Sequence, residues 1–145
     1  MHLELLVEEP SMEAALDELL PRIVPGHSFK VHVHQGKSDL LRKVEQRLRA
    51  YARMAWFFGD VHAMREAYPK VPRTLASQAE FRDPDAITGG TWEALERVLA
   101  RAGYYTTGMP KVEVARRISA YMDPQGNTSR SFQVLVEGLG RQVAT

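Results

Sequence analysis

Leu3-Glu4-Leu5-Leu6-Val7-Glu8-Glu9-Pro10-Ser11-Met12-Glu13 is the stretch from which the fold of this chain is read. An apolar, alternating start that breaks at Pro10 reads as a strand, and Ser11 followed by Glu13 and a periodic apolar run reads as a helix N-terminus. The expected order is strand, acidic turn, helix. Ligands of open α/β sheets gather at the carboxyl ends of strands, so Glu8 and Glu13 stand where a divalent metal would sit. A plainer reading of the same residues is that Glu9 and Glu13 favour the positive end of a helix dipole and Glu8 is a solvated turn residue.

Outward from this stretch, Met12, Ala15, Leu16 and Leu19 share one face of a helix expected from Ser11 to Leu20, ended by Pro21 and the Pro25-Gly26 pair. From Ser28 to His34, Phe29, Val31 and Val33 alternate with Lys30, His32 and His34, the period of a strand with one apolar and one basic face. His32 and His34 point the same way, as a metal or phosphate pair would, and as the wet face of any strand does. Gly36-Lys37-Ser38 then precedes a helix, but the earlier glycine that a P-loop needs is replaced by Val31, so a nucleotide loop is rejected. What remains is a helix start capped by Ser38 or Asp39, whose free N–H groups, with Lys37, can meet an anion.

Leu41, Val44, Leu48, Tyr51, Ala55, Phe58 and His62 keep helical spacing, interleaved with Arg42, Lys43, Arg47, Arg49 and Arg53, a solvated face or a nucleic-acid contact. Gly59 is the one turn signal between Ser38 and Tyr68. The stretch therefore reads as one helix of about thirty residues or two with almost no connection. Ala55-Trp56-Phe57-Phe58 is apolar on all sides, so a second copy or a partner protein is expected to cover it. The alternative cover is the turn-rich segment Tyr68 to Gly90, which holds Asp83-Pro84-Asp85. Three more helices follow: one capped by Thr91 and stopped by Gly103, one from Lys111 with Val114, Ala115, Ile118 and Met122 on one face, and one from Ser129 to Leu139 with Phe132, Leu135, Val136 and Leu139 inside.

A chain of 145 residues with 44% hydrophobic residues forms one core and a single domain. It has no cysteine, which removes a disulfide framework and thiolate metal sites. Its start lacks a basic, apolar leader and no stretch reaches the ~20 apolar residues of a membrane span, so a cytoplasmic protein without membrane partners is expected. A net charge of +1 does not by itself argue for nucleic acid.

The strings LELLVEEPSMEAAL (3–16), HVHQGKSDLLRK (32–43), AWFFGD (55–60), AYPKVP (67–72), FRDPDAITGGTWEALERVL (81–99) and MDPQGNTSRSFQV (122–134) resemble a bacterial Toprim-like family, domain of unknown function 4276. The resemblance implies a small α/β domain related to Toprim nucleases of the overcoming-lysogenization-defect type, often encoded beside defence-system ATPases. Such a site uses a strand-end glutamate, an Asp-x-Asp pair after a central strand, further acidic residues and a downstream lysine to hold Mg²⁺ or Mn²⁺ for phosphodiester chemistry. By this resemblance Glu8 matches the strand-end glutamate, Glu13 the acidic residue in the next helix, Lys111 the downstream lysine, and Asp60 a further acidic ligand.

The chain departs from the family in one place. Members carry a segment with the central strand and the Asp-x-Asp pair before AWFFGD, whereas here Arg53 runs directly into Met54-Ala55-Trp56. An internal deletion at about 53/54 would leave an α+β remnant with a small parallel sheet and five or six helices. Glu8, Glu13 and Asp60 are then few ligands for two metal ions, so the expectation is a catalytically deficient relative acting through protein contacts. The alternatives are a metal-dependent nuclease acting on DNA or RNA, and nucleic-acid binding without chemistry through Lys37, Ser38, Arg42 and Lys43.

Overall fold

The computed structural model describes residues 2–33 and 55–143. They form an α/β fold with one two-stranded parallel sheet and six helices. Strand β1 (His2–Val7) leads into helix α1 (Pro10–Ile23) and back to strand β2 (Ser28–Val33). The register sets Leu3 beside Phe29, Leu5 beside Val31 and Val7 beside Val33, so the apolar rows of the two strands share one face. α1 covers the sheet and packs chiefly against the helix α5 (Lys111–Ser119).

α1 differs from its expected bounds at both ends. Pro10, with its fixed φ and no N–H, occupies the first turn, Glu9 is the cap residue, and Ser11 lies inside the helix, donating its hydroxyl to the Glu9 carboxylate at 3.1 Å. Nor does Pro21 stop it. The helix continues to Ile23 because its last turn is held from outside: the Arg22 guanidinium donates to the carbonyls of Ser119 at the end of α5 and Met122 just after it, while the Val24 N–H closes on Leu20 at 2.9 Å. Loss of one backbone bond at proline is outweighed by these contacts and by the buried Leu19, Leu20 and Val24.

Of the two readings of Ser38–Tyr68, the described part follows the second, two helices with almost no connection: α2 (Ala55–Phe58) and α3 (Val61–Ala67) are separate, and Leu40–Arg53 lies outside the described residues. The break is made by close approach. A Cβ on Gly59 would lie 2.1 Å from Asn127 Oδ1 and 2.7 Å from the Ser129 nitrogen, so only glycine admits the 127–129 segment, and the Gly59 carbonyl accepts the Thr128 N–H at 2.9 Å. Asp60 then restarts the helix by accepting the Ala63 N–H at 2.9 Å.

The chain itself covers the aromatics of α2, not a partner as expected. Trp56 packs on Phe132 of α6 (Arg130–Val143) with ring centroids 5.2 Å apart, Phe57 meets Trp92 of α4 (Thr91–Arg101) at 5.9 Å, and Phe58 stacks on Phe81 at 4.9 Å. Three successive rings pointing three ways tie both later helices and the 68–90 segment to one core, with all three residues at most 2% exposed. That segment contains two short 3-10 turns, Leu75–Ser77 and Pro84–Ala86.

Gly90, not Thr91, caps α4, because its φ of +92° provides the entry turn. At the other end Gly103, at φ +84°, donates to Ala100 and Tyr104 donates to Leu99, the paired bonds of a Schellman stop. Val114, Ala115, Ile118 and Met122 are fully buried on the face expected for α5. α6 starts at Arg130, one residue later than expected, because the Ser129 hydroxyl accepts the Phe132 N–H as its cap; the helix runs on to Val143. No helix among the described residues is long and apolar enough to cross a membrane.

Candidate functional site

Glu8 lies exposed just beyond the carboxyl end of β1, and Glu13 is half-buried in the first turn of α1. Strand end, turn and helix start thus occupy the places expected for a sheet-edge site. Lys111 opens α5, exposed, with its ammonium 5.6 Å from the centre of the Trp92 ring. Asp60 is committed elsewhere: Oδ1 accepts the Ala63 N–H, and Oδ2 accepts the Asp123 N–H at 2.8 Å. Lys37, Ser38, Arg42, Lys43 and His34 lie outside the described residues, and His32 is half-buried in β2.

The described carboxylates do not gather into a two-ion centre. Among the described residues no three His, Asp or Glu side chains converge where they could hold a metal ion. Magnesium and manganese keep their waters unless several oxygens meet, and two carboxylates are few for such an ion.

The chain's one Asp-x-Asp spacing, Asp83-Pro84-Asp85, has a helix-capping geometry. Asp83 accepts the Asp85 N–H at 3.1 Å, while Asp85 accepts the Arg130 N–H at 2.6 Å, the Ser131 N–H at 3.4 Å and the Ser129 hydroxyl at 3.2 Å. It caps α6 from a distant part of the chain. Behind it, Trp56 Nε1 donates to the Ser131 hydroxyl at 3.1 Å and Asn127 donates to the Trp56 carbonyl at 2.8 Å, joining the cap to α2.

An open hollow of about 510 Å³ precedes α4 between Asp85 and Glu93, with Trp92 in its wall. Glu93 folds back against Gly90, so the mouth is acidic and disfavours an anion at this helix end.

A second constellation was not anticipated. Tyr68, fully buried at the end of α3, shares a hydrogen bond of 3.1 Å with the Tyr105 hydroxyl, which donates to Glu113 at 3.1 Å. Tyr104 and Tyr105 pack edge-on against Tyr68 at 5.0 and 5.9 Å. Burial, aided by the Tyr105 hydrogen bond, pushes the Tyr68 hydroxyl well above the usual tyrosine range. Tyr105 has a φ of +51°, the one non-glycine residue with positive φ among the described residues. Such a backbone costs roughly 1–2 kcal/mol, which the two hydroxyl bonds offset. Adjacent tyrosines between Gly103 and Gly108 are the sequence signal that could have marked this corner.

No curated protein and no solved structure matches the chain. A family model described as Domain of unknown function (DUF4276) matches residues 55–140. That match runs from the first residue of α2 into α6 and takes in Asp60, the Asp85 cap, the tyrosine corner and Lys111. It spans more than half of the 145 residues, and the chain therefore belongs to the DUF4276 family.

Proposed function

We propose that this chain is a catalytically deficient relative of the Toprim nucleases, of bacterial defence or DNA-processing type, that acts by binding another protein subunit. The observation that carries the reading is the fate of the carboxylates: Asp60 caps α3 and binds Asp123, Asp85 caps α6, and Glu8 and Glu13 are left without a third ligand among the described residues. Two-metal phosphoryl transfer requires carboxylates around two ions ~4 Å apart. The support for protein binding lies in the sheet. Leu3, Leu5, Phe29, Val31 and Val33 face inward yet are only half-buried, and the sheet, two-stranded among the described residues, is marginal unless something pairs with its edges. The partner fitting this setting is a second copy or a defence-system ATPase.

The test is cleavage. The purified chain, incubated with plasmid DNA and with structured RNA in Mg²⁺ or Mn²⁺, is expected to leave both intact at background rate. Robust metal-dependent cutting that disappears in Glu8→Ala would overturn the reading in favour of a nuclease. The mass of the intact protein addresses the internal deletion: 16.4 kDa is expected, and a product heavier by several kDa would mean that the central segment is present.

A further inference from the structure

We propose that the tyrosine corner formed by Tyr104, Tyr105, Lys70 and Arg117 binds a nucleoside phosphate, stacking the base on tyrosine and meeting the phosphate with the two cations. None of these residues is a candidate metal ligand, and the proposal stands apart from the cleavage question. Three tyrosines meet where Tyr68 alone is fully buried; Tyr104 and Tyr105 are half-buried and reach the surface. Glycine would adopt the +51° backbone of Tyr105 without strain, so it is the side chain for which this position is used.

The cations sit on the same cluster. Lys70 Nζ is 5.6 Å from the Tyr104 ring centre, and the Arg117 guanidinium is 4.8 Å from that of Tyr68. Among the described residues neither forms an ion pair, whereas Arg97 pairs with Glu80 and Arg130 with Glu137. The Glu113 carboxylate at this corner accepts the Tyr105 hydroxyl at 3.1 Å and, among the described residues, forms no ion pair with either cation. Two cations without an ion pair among the described residues, Lys70 beside the half-buried Tyr104 and Arg117 over the buried Tyr68, suit a ligand that is flat and apolar at one end and anionic at the other. An inorganic anion would use only the charges and an apolar peptide only the rings. Such a ligand can be a free nucleotide or a single-stranded nucleic acid, which share this chemistry.

Titration of the full chain with AMP and ATP by calorimetry, and with fluorescein-labelled (dT)10 by anisotropy, separates the two sources. Saturable binding is expected with one of them. Tyr104→Ala should weaken it about 5-fold or more, the loss of one stacked base, and Lys70→Glu should weaken it and lower the salt dependence for an oligonucleotide by about 0.7 in slope. Lys70 is exposed, so Lys70→Glu remains informative if Tyr104→Ala does not fold. Failure of both probes to bind below ~1 mM, or binding lost in Lys37→Glu but unchanged in Lys70→Glu and Arg117→Glu, would overturn the assignment.

Discussion

The carboxylate of Asp85 accepts the backbone N–H of Arg130 at 2.6 Å, which makes a residue in a 3-10 turn the cap of a helix that begins 45 positions later. Helix N-termini leave several N–H groups unpaired, and removing a capping side chain costs about 0.5–2 kcal/mol. Asp85→Ala is therefore expected to lower stability by roughly 1–2 kcal/mol, with Asp85→Asn retaining part of the cap. Urea unfolding measures this; an unchanged midpoint in Asp85→Ala would show that Ser129 alone sustains the start of α6.

This cap also marks the limit of what could be read in the sequence. β1, α1 and the buried faces of α4 and α5 were legible because their periodicities are local: Leu3, Leu5 and Val7 alternate, and Val114, Ala115 and Ile118 recur at helical spacing. The break at Gly59 was legible only as a signal. Its cause, the approach of Asn127 and Ser129, involves residues some seventy positions away. For the same reason Asp60 read as a ligand candidate, although its second oxygen is bound to Asp123. The end of α1 was misplaced at Pro21 because the compensating partners of Arg22, Ser119 and Met122, lie about a hundred positions away at the end of α5 and just after it. Glu8 and Glu13 were placed correctly on their elements because both elements are local.

Trp56 was expected at an interface and is instead 1% exposed, packed on Phe132 and bonded to Ser131. Removing a large buried aromatic costs about 3–5 kcal/mol, a large fraction of the ~5–15 kcal/mol that stabilises a domain. Trp56→Ala should melt far lower than the parent, and Trp56→Glu should abolish the cooperative transition, as circular dichroism would record. A Trp56→Glu protein that stays folded while its assembled mass halves would return this residue to an interface.

Tyr68 predicts an alkaline limit. Its folded hydroxyl is held above the ordinary value of 10.0, mainly by burial and then by Tyr105, so the fold favours the neutral form. The associated stability is fully present below pH 10 and is lost as pH rises beyond it, because the unfolded chain releases the proton first. Urea midpoints should fall between about pH 10 and 11 more steeply for the parent than for Tyr68→Phe. At neutral pH that variant should be about 1 kcal/mol less stable through loss of the Tyr105 bond. Parallel curves for the two proteins would mean that exposed groups alone govern the alkaline loss.

Self-association, if present, should run through the sheet. The core of the helical half is closed, with Trp56, Phe57, Phe58, Leu95, Leu99 and Ile118 at most 2% exposed and Val112 and Tyr121 as its exposed large apolar side chains, whereas in the sheet Leu6 is 37% exposed and, Val7 apart, the inward row of both strands is only half-buried. Parallel strands usually lie inside larger sheets with both faces covered, and among the described residues no third strand pairs with the edges of β1 and β2. Addition of strands between two copies would pair these edges and shield the half-buried row in one contact. Light scattering at micromolar concentration should then give about twice 16.4 kDa, with a melting temperature that rises with protein concentration. Leu6→Lys, which places a charge on the exposed side of β1, should shift the mass toward the monomer while leaving the helical core and its Trp56 emission unchanged. A mass of 16.4 kDa with a concentration-independent melt would show that the sheet needs no second copy, and would leave a different protein as the partner to be sought.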